Sequence, residues 1–139
     1  MFESTLKGVA SEKLVEVDLL LQGYEIFTPS AYGGTYDLLA VNGSSVYRVQ
    51  VKSATPKDDK LDVDVRRSSH SRTGRDYPED GYDVLAIANL VDRKVAYVRR
   101  SEMTARSSIK VWLTRNIPTK GRHIGYKPYV FDDMLEFPA

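Results

Sequence analysis

The stretch "YDVLAIANL", residues 82–90, is a nearly unbroken apolar run with no regular polar face to offer to water. Such a run is a candidate buried central strand, so the fold must provide strands beside it and cover over it. The "RKVAYVRR" that follows is expected to pair with it. Cover is available near the N-terminus. Residues 5–22, "TLKGVASEKLVEVDLLLQ", place Val9, Leu14, Val17, Leu20 and Leu21 at three- and four-residue spacings, which predicts a helix with these side chains in a buried stripe. Gly23 stands where a helix-ending left-handed residue is expected, while Gly8 weakens the first turns by about 1 kcal/mol.

Further strands are legible between these two elements. "YEIFTP" alternates briefly and stops at Pro29. "TYDLLAV" and "SVYRVQVKSA" read as a hairpin joined by "NGSS". "KLDVDVRR" reads as a further strand with Leu61, Val63 and Val65 inward. "SSHSRTGRDYPEDG" has the composition of a long loop, "SEMTARSSIKVWL" is read as holding a short helix, and "KPYVFDDMLEFPA" is too mixed to assign. The order of elements gives an α/β (α+β) fold with a sheet covered by the first helix. A length of 139 residues suits a single domain over 1–139, with a core at about 5–100 and a C-terminal extension at 101–139.

Composition removes several classes of chemistry. With no cysteine, the chain has no disulfide, no thiolate nucleophile and no Cys-based zinc site. No apolar run approaches the roughly 20 residues of a membrane span, and the opening "MFESTLKGVASEK" lacks the apolar stretch of a signal peptide. The expected location is therefore the cytoplasm, with no membrane partner. A net charge of +1 conceals an asymmetry: from Arg93 to Lys127 there are ten Lys or Arg and a single acid, Glu102. That segment points to a polyanionic partner.

The hairpin concentrates the chemistry. Side chains alternate along a strand, so Arg48, Gln50 and Lys52 share one side while Val49 and Val51 take the other. A two-residue turn at Asn42 and Gly43 would set Asp37 opposite Arg48. A four-residue "NGSS" loop would set Val41 opposite Val46 and Asp37 opposite Gln50. In both registers Asp37 shares the face of Gln50 and Lys52; a three-residue loop would break this. A hard divalent cation takes oxygen ligands, and Asp37, the Gln50 side-chain oxygen and the Val51 backbone carbonyl can supply three. Lys52 can orient or deprotonate a water, or neutralise charge on a phosphate. Glu12 adds a second carboxylate if its helix face turns towards the strip. The same pattern also describes a half-solvated strand with a plain Asp37–Lys52 ion pair, and spacing alone does not choose between them.

"YDLL…VYRVQVKSA", preceded by "KGVASEKLVEVDLLLQGYEIFTP", resembles the PD-(D/E)XK nuclease superfamily, and within it the Gln-x-Lys branch typified by the homing endonuclease of a cyanobacterial group I intron. The likeness runs from about Lys7 to Arg100 and includes "RRSSHSRTGRDYPEDGYDVLAI". The resemblance implies a restriction-endonuclease-like mixed β-sheet flanked by helices. It assigns the helical acid to Glu12, the metal-binding Asp to Asp37, the residue replacing the usual second acid to Gln50, and the catalytic lysine to Lys52. Tyr36 stands where the name-giving Pro would be. The implied activity is Mg²⁺-dependent hydrolysis of double-stranded DNA, with Mn²⁺ able to substitute.

On that reading Arg66, Arg67, Ser68, Ser69, Arg72 and Arg75 grip phosphates near the cleaved bond, and Lys110, Arg115, Asn116, Lys120 and Arg122 form a second DNA-facing patch. His70 and His123 read as surface residues, and Trp112 and the tyrosines as packing. A single small module buries only about 600–1,000 Å² against DNA, and cutting two strands needs two sites, so a homodimer or homotetramer is expected. The expected function is a site-specific, homing-type endonuclease. Its rivals are a structure-selective Holliday-junction or repair nuclease and, from another class, a DNA-binding module whose catalysis is weak or lost through Gln50.

Overall fold

The computed structural model describes residues 2–31, 34–66, 81–104, 107–118 and 127–138. A helix, α1 (Phe2–Leu21), is followed by the strands β1 (Glu25–Phe27), β2 (Leu38–Asn42), β3 (Ser45–Ser53), β4 (Lys60–Asp64), β5 (Val84–Asn89), β6 (Lys94–Arg99), β7 (Ser108–Trp112) and β8 (Tyr129–Val130). Five strands form one mixed sheet in the order β1-β2-β3-β5-β6, and three form a second in the order β4-β7-β8. Only β3 and β5 run parallel in the larger sheet. A parallel pair needs a long crossover, and here β4 of the second sheet lies within it.

β5 explains the architecture. All six of its residues are buried, and its alternation divides them between two cores. Val84, Ala86 and Ala88 face α1 together with Val15, Leu19, Leu38, Ala40, Val49 and Val51. Leu85 and Ile87 face the second sheet with Leu61, Val63, Val65, Ile109 and Val111. Small residues on the helix side let α1 approach closely, and larger ones fill the space beneath the second sheet. The strand is apolar because both of its faces are covered, one by a helix and the other, among the described residues, by a sheet.

Leu61, Val63 and Val65 are buried as the alternation of "KLDVDVRR" requires. The helix ends as Gly23 indicates: its φ is +94°, its amide donates to the Leu20 carbonyl at 3.0 Å, and the Tyr24 amide reaches back to Leu19 at 3.0 Å. That pair of bonds closes a Schellman turn.

Two expectations are corrected. The buried stripe of α1 is Ser11, Val15 and Leu19, with Leu14 packed alongside, whereas Val9, Val17, Leu20 and Leu21 are 49–82% exposed. At 100° per residue those exposed side chains, with Leu6, fall on the side opposite Val15. The helix is apolar on both sides, and periodicity alone selected the outer one. In "SEMTARSSIKVWL" the helical content among the described residues is one 3₁₀ turn, Arg100–Glu102, and Ser108–Trp112 form β7. There Ile109 and Val111 alternate inward, a period of two in place of 3.6.

Candidate active site

The hairpin adopts the register in which Val41 faces Val46 and Leu38 faces Val49, closed by Gly43 at φ +62°. One further step brings Asp37 beside Gln50. The Asp37 amide donates to the Val49 carbonyl at 2.8 Å, and its carboxylate accepts the Val51 amide at 2.8 Å. β2 stops at Leu38 while β3 continues to Ser53. Asp37 thus takes over with its side chain the rung that the shorter strand no longer supplies.

Three further groups converge on that ladder end. Glu12 projects from α1, one turn before Val15, into hydrogen-bond reach of Asp37. Burial first, then the charge of Asp37 and the hydrogen bond to it, push the Glu12 carboxyl from its ordinary 4.5 up to about 7. Burial also raises Asp37, although the Val51 amide, Glu12 and Lys52 all pull it back. Burial and mutual repulsion thus favour one proton shared between the two carboxyl groups. Gln50 is 6% exposed, with its amide 3.3 Å from the Val51 carbonyl. Lys52, on the same face as Gln50, donates from Nζ to the Arg66 carbonyl at 2.7 Å. Burial lowers its proton affinity, opposed by the charges of Asp64 and Asp37. A cleft of about 290 Å³ opens beside Glu12 and Asp37, walled by residues 28–31, Gly34 and Tyr36.

The donor set suits a hard divalent cation. Two carboxylates that must share a proton when alone are relieved by a positive charge between them, and Gln50 and Val51 add neutral oxygens on the same strip. Among the described residues no group of three or more His, Cys, Asp or Glu side chains is placed to hold a metal ion.

The other sequence candidates are distributed differently. Arg66 is exposed and pairs with Asp64 at 3.1 Å. Lys110 stands across from Asp62, Arg115 pairs with Asp133, and the Asn116 amide meets the Thr114 hydroxyl at 3.3 Å. The Lys60–Trp112 rung lies four residues from the Asp64–Ser108 rung that adjoins Lys52, about 13 Å along the strand. Arg115 and Asn116 follow Trp112 at the far end of that ladder, whereas Lys110 lies two residues from Ser108, about 7 Å along the strand. Arg67, Ser68, Ser69, His70, Arg72, Arg75, Lys120, Arg122 and His123 lie outside the described residues.

Asp64 is the neighbour that sequence reasoning missed. The alternation of "KLDVDVRR" turned it outward, but nothing in the chain indicated that the end of β4 passes beside Lys52. Arg48, on the same face as Gln50, is fixed by Asp83, whose carboxylate accepts both the Arg48 amide at 2.8 Å and its guanidinium at 3.0 Å.

Known proteins place this chain in a family. The bacterial homing endonuclease I-Ssp6803I superposes with a TM-score of 0.71 at 23% identity, covering 88% of this chain and 86% of its own, which shows the restriction-endonuclease-like fold. The Holliday junction resolvase Hjc of Archaeoglobus fulgidus aligns at a TM-score of 0.46 and 16% identity, over 76% of this chain and 84% of its own. Protein 5.3 of Escherichia phage T7 is 30% identical over 112 residues, 80% of this chain and 92% of that protein. The PD-(D/E)XK endonuclease family model matches residues 2–128, extending past Arg100 through β7. On that match, and with Glu12, Asp37, Gln50 and Lys52 gathered where β3 outruns β2, the chain belongs to the PD-(D/E)XK endonuclease family.

Proposed function

We propose that this chain is a Mg²⁺-dependent, site-specific DNA endonuclease whose centre is the Glu12–Asp37–Gln50–Lys52 strip. The observation that carries the reading is the convergence of a helical acid and three hairpin residues at one ladder end, with two carboxylates so close that one keeps its proton. Asp37, Glu12, the Gln50 side-chain oxygen and the Val51 carbonyl would hold the cation, with Mn²⁺ able to take its place. The cation, when bound, supplies Lewis-acid polarisation of the scissile phosphate. Asp37 is fixed for that task by the Val51 amide, and Gln50 by its burial within the sheet. Turning the Gln50 amide over would bring its oxygen beside the Val51 carbonyl. Lys52, half-buried and beside Asp37, orients the attacking water and stabilises charge developing on the phosphate oxygens.

We read residues 1–139 as one nuclease domain whose 101–139 segment contributes strands to the second sheet. Arg66 and its neighbours would hold backbone phosphates. Arg115 and Asn116, beyond the far end of the β4–β7 ladder, would meet a different part of the duplex from Lys110, which lies two residues from the rung beside Lys52. Cutting both strands requires two centres, and the outward apolar face of α1, Leu6, Val9, Val17, Leu20 and Leu21, offers a second copy a surface to bury.

The test uses wild-type and Lys52→Ala protein on supercoiled plasmid, on phage DNA and on a four-way junction, in Mg²⁺ and in EDTA. Metal-dependent cleavage by wild type alone, yielding discrete fragments from linear duplex, is the expected result. Preferential cutting of the junction would replace site recognition by structure recognition. DNA binding without cleavage of any substrate in Mg²⁺ or Mn²⁺ would make the chain a binding module and overturn the catalytic reading.

A further inference from the structure

We infer that Asp64 is a positioning residue for Lys52, acting through the main-chain carbonyl of Arg66; the inference rests on the reading of Lys52 as the group that works at the scissile phosphate. Lys52 carries its charge on a long, flexible stem, and the strand fixes only where that stem begins. What fixes the far end is the Arg66 carbonyl, which accepts from Nζ at 2.7 Å. That carbonyl is in turn held by Asp64. The Asp64 Oδ1 accepts the Arg66 amide at 2.9 Å and its Nε at 3.2 Å, and Oδ2 accepts Nη2 at 3.1 Å. An aspartate bonded to the amide two residues on closes an Asx turn. Here the turn bends the chain as it leaves β4 and presents the next carbonyl to the ammonium.

The anchor of this turn is rigid. β4 pairs with β7 over five rungs, and Asp64–Ser108 is the last of them, so the turn begins where the ladder still holds the chain. Asp62, two residues earlier and on the same outward face, stands across from Lys110. It takes no part in the turn and serves as the internal control.

The test compares wild type, Asp64→Ala, Asp64→Asn and Asp62→Ala by two readouts. The first is the rate at which an amine-reactive reagent labels Lys52 in the metal-free protein, followed by peptide mass spectrometry. The second is the separation of kcat from KM in DNA cleavage, with DNA affinity measured in EDTA. Asp64→Ala should label faster at Lys52 and lose about 10- to 100-fold in kcat with KM little changed, as a misplaced catalytic group does. Asp64→Asn keeps an oxygen for the Arg66 amide and should recover most of both. Asp62→Ala should match wild type. Unchanged labelling and kcat in Asp64→Ala would overturn the inference, as would an equal effect from Asp62→Ala or a failure of Asp64→Asn to rescue. If wild type cleaves no DNA, the nuclease reading falls, and the labelling rates alone decide whether Asp64 positions Lys52.

Discussion

Replacing Glu12 by Gln should stabilise the metal-free protein at pH 8 and remove its response to a divalent cation. In the wild type, burial and the neighbouring Asp37 charge raise the Glu12 carboxyl from 4.5 to about 7. The folded chain thus grips this proton more tightly than the unfolded chain. Its contribution to stability is complete below pH 4.5 and is lost as pH rises through 7. Taken in full, the difference would be worth ~3.4 kcal/mol, but Glu12 is only half buried, and screening by water leaves ~1–2 kcal/mol. For a chain of 139 residues that corresponds to about 3–7 °C in Tm. The assay is thermal unfolding in EDTA and in Mg²⁺ from about pH 5 to 8, read as the difference between wild type and Glu12→Gln. In EDTA the wild type should lose ground to the variant as pH rises. Mg²⁺ should restore it most at the alkaline end, where no proton competes for the carboxylates. Parallel curves in EDTA would refute the shared-proton reasoning, and an equal Mg²⁺ response in both proteins would remove Glu12 from the cation site.

Three further outcomes separate packing, association and chemistry. Leu19→Ala empties a fully buried site against the sheet and should cost about 2–5 kcal/mol in urea unfolding. The pair Val17→Glu and Leu20→Glu, on the outward face of the same helix, should keep the helical circular dichroism and shift sedimentation towards a monomer. An unchanged sedimentation coefficient would leave that face without a partner. Asp37→Asn retains an oxygen for the Val51 amide, whereas Asp37→Ala orphans that amide at a cost of about 1–3 kcal/mol. Both should abolish cleavage, but only Asp37→Ala should lower the midpoint of denaturation.

Most of the sheet was legible because its signals are local. Alternation marked β3 and β4, an apolar run marked β5, and "NGSS" with Gly43 at positive φ closed the hairpin. The common face of Asp37, Gln50 and Lys52 followed from a period of two and held because the loop preserved parity. The register itself had two solutions. The outcome was settled by how far β2 pairs, which is a tertiary matter. Helix rotation was not legible: α1 carries one apolar stripe that meets the sheet and another that faces outward, and periodicity cannot rank them. Glu12 was therefore conditional, and it reached Asp37 only because Val15 and Leu19, not Val17 and Leu20, face the core. Asp64 escaped notice for a related reason, since its position depends on the crossover from β3 to β5, a long-range feature without a local sequence mark.

Gln50 is the point at which the site departs from a third acid, and the electrostatics give a reason for an amide. Its side chain is 6% exposed and stands beside a carboxylate pair already crowded enough for Glu12 to hold a proton near neutrality. A third carboxylate there would add a buried like charge to the metal-free fold, and such charges neutralise or destabilise. An amide offers an oxygen of the same reach without that cost, at the expense of attraction for the cation. The trade predicts opposite effects from Gln50→Glu. In EDTA the variant should unfold at lower urea than wild type, most clearly above pH 7, where Glu12 has released its proton. In Mg²⁺ it should gain more stability than wild type and reach half-maximal stabilisation at lower metal concentration. If Gln50→Glu were as stable as wild type in EDTA across this range, charge crowding would not be what the amide relieves. If its affinity for Mg²⁺ were also unchanged, the Gln50 oxygen would not face the cation, and the metal would rest on Asp37, Glu12 and the Val51 carbonyl alone.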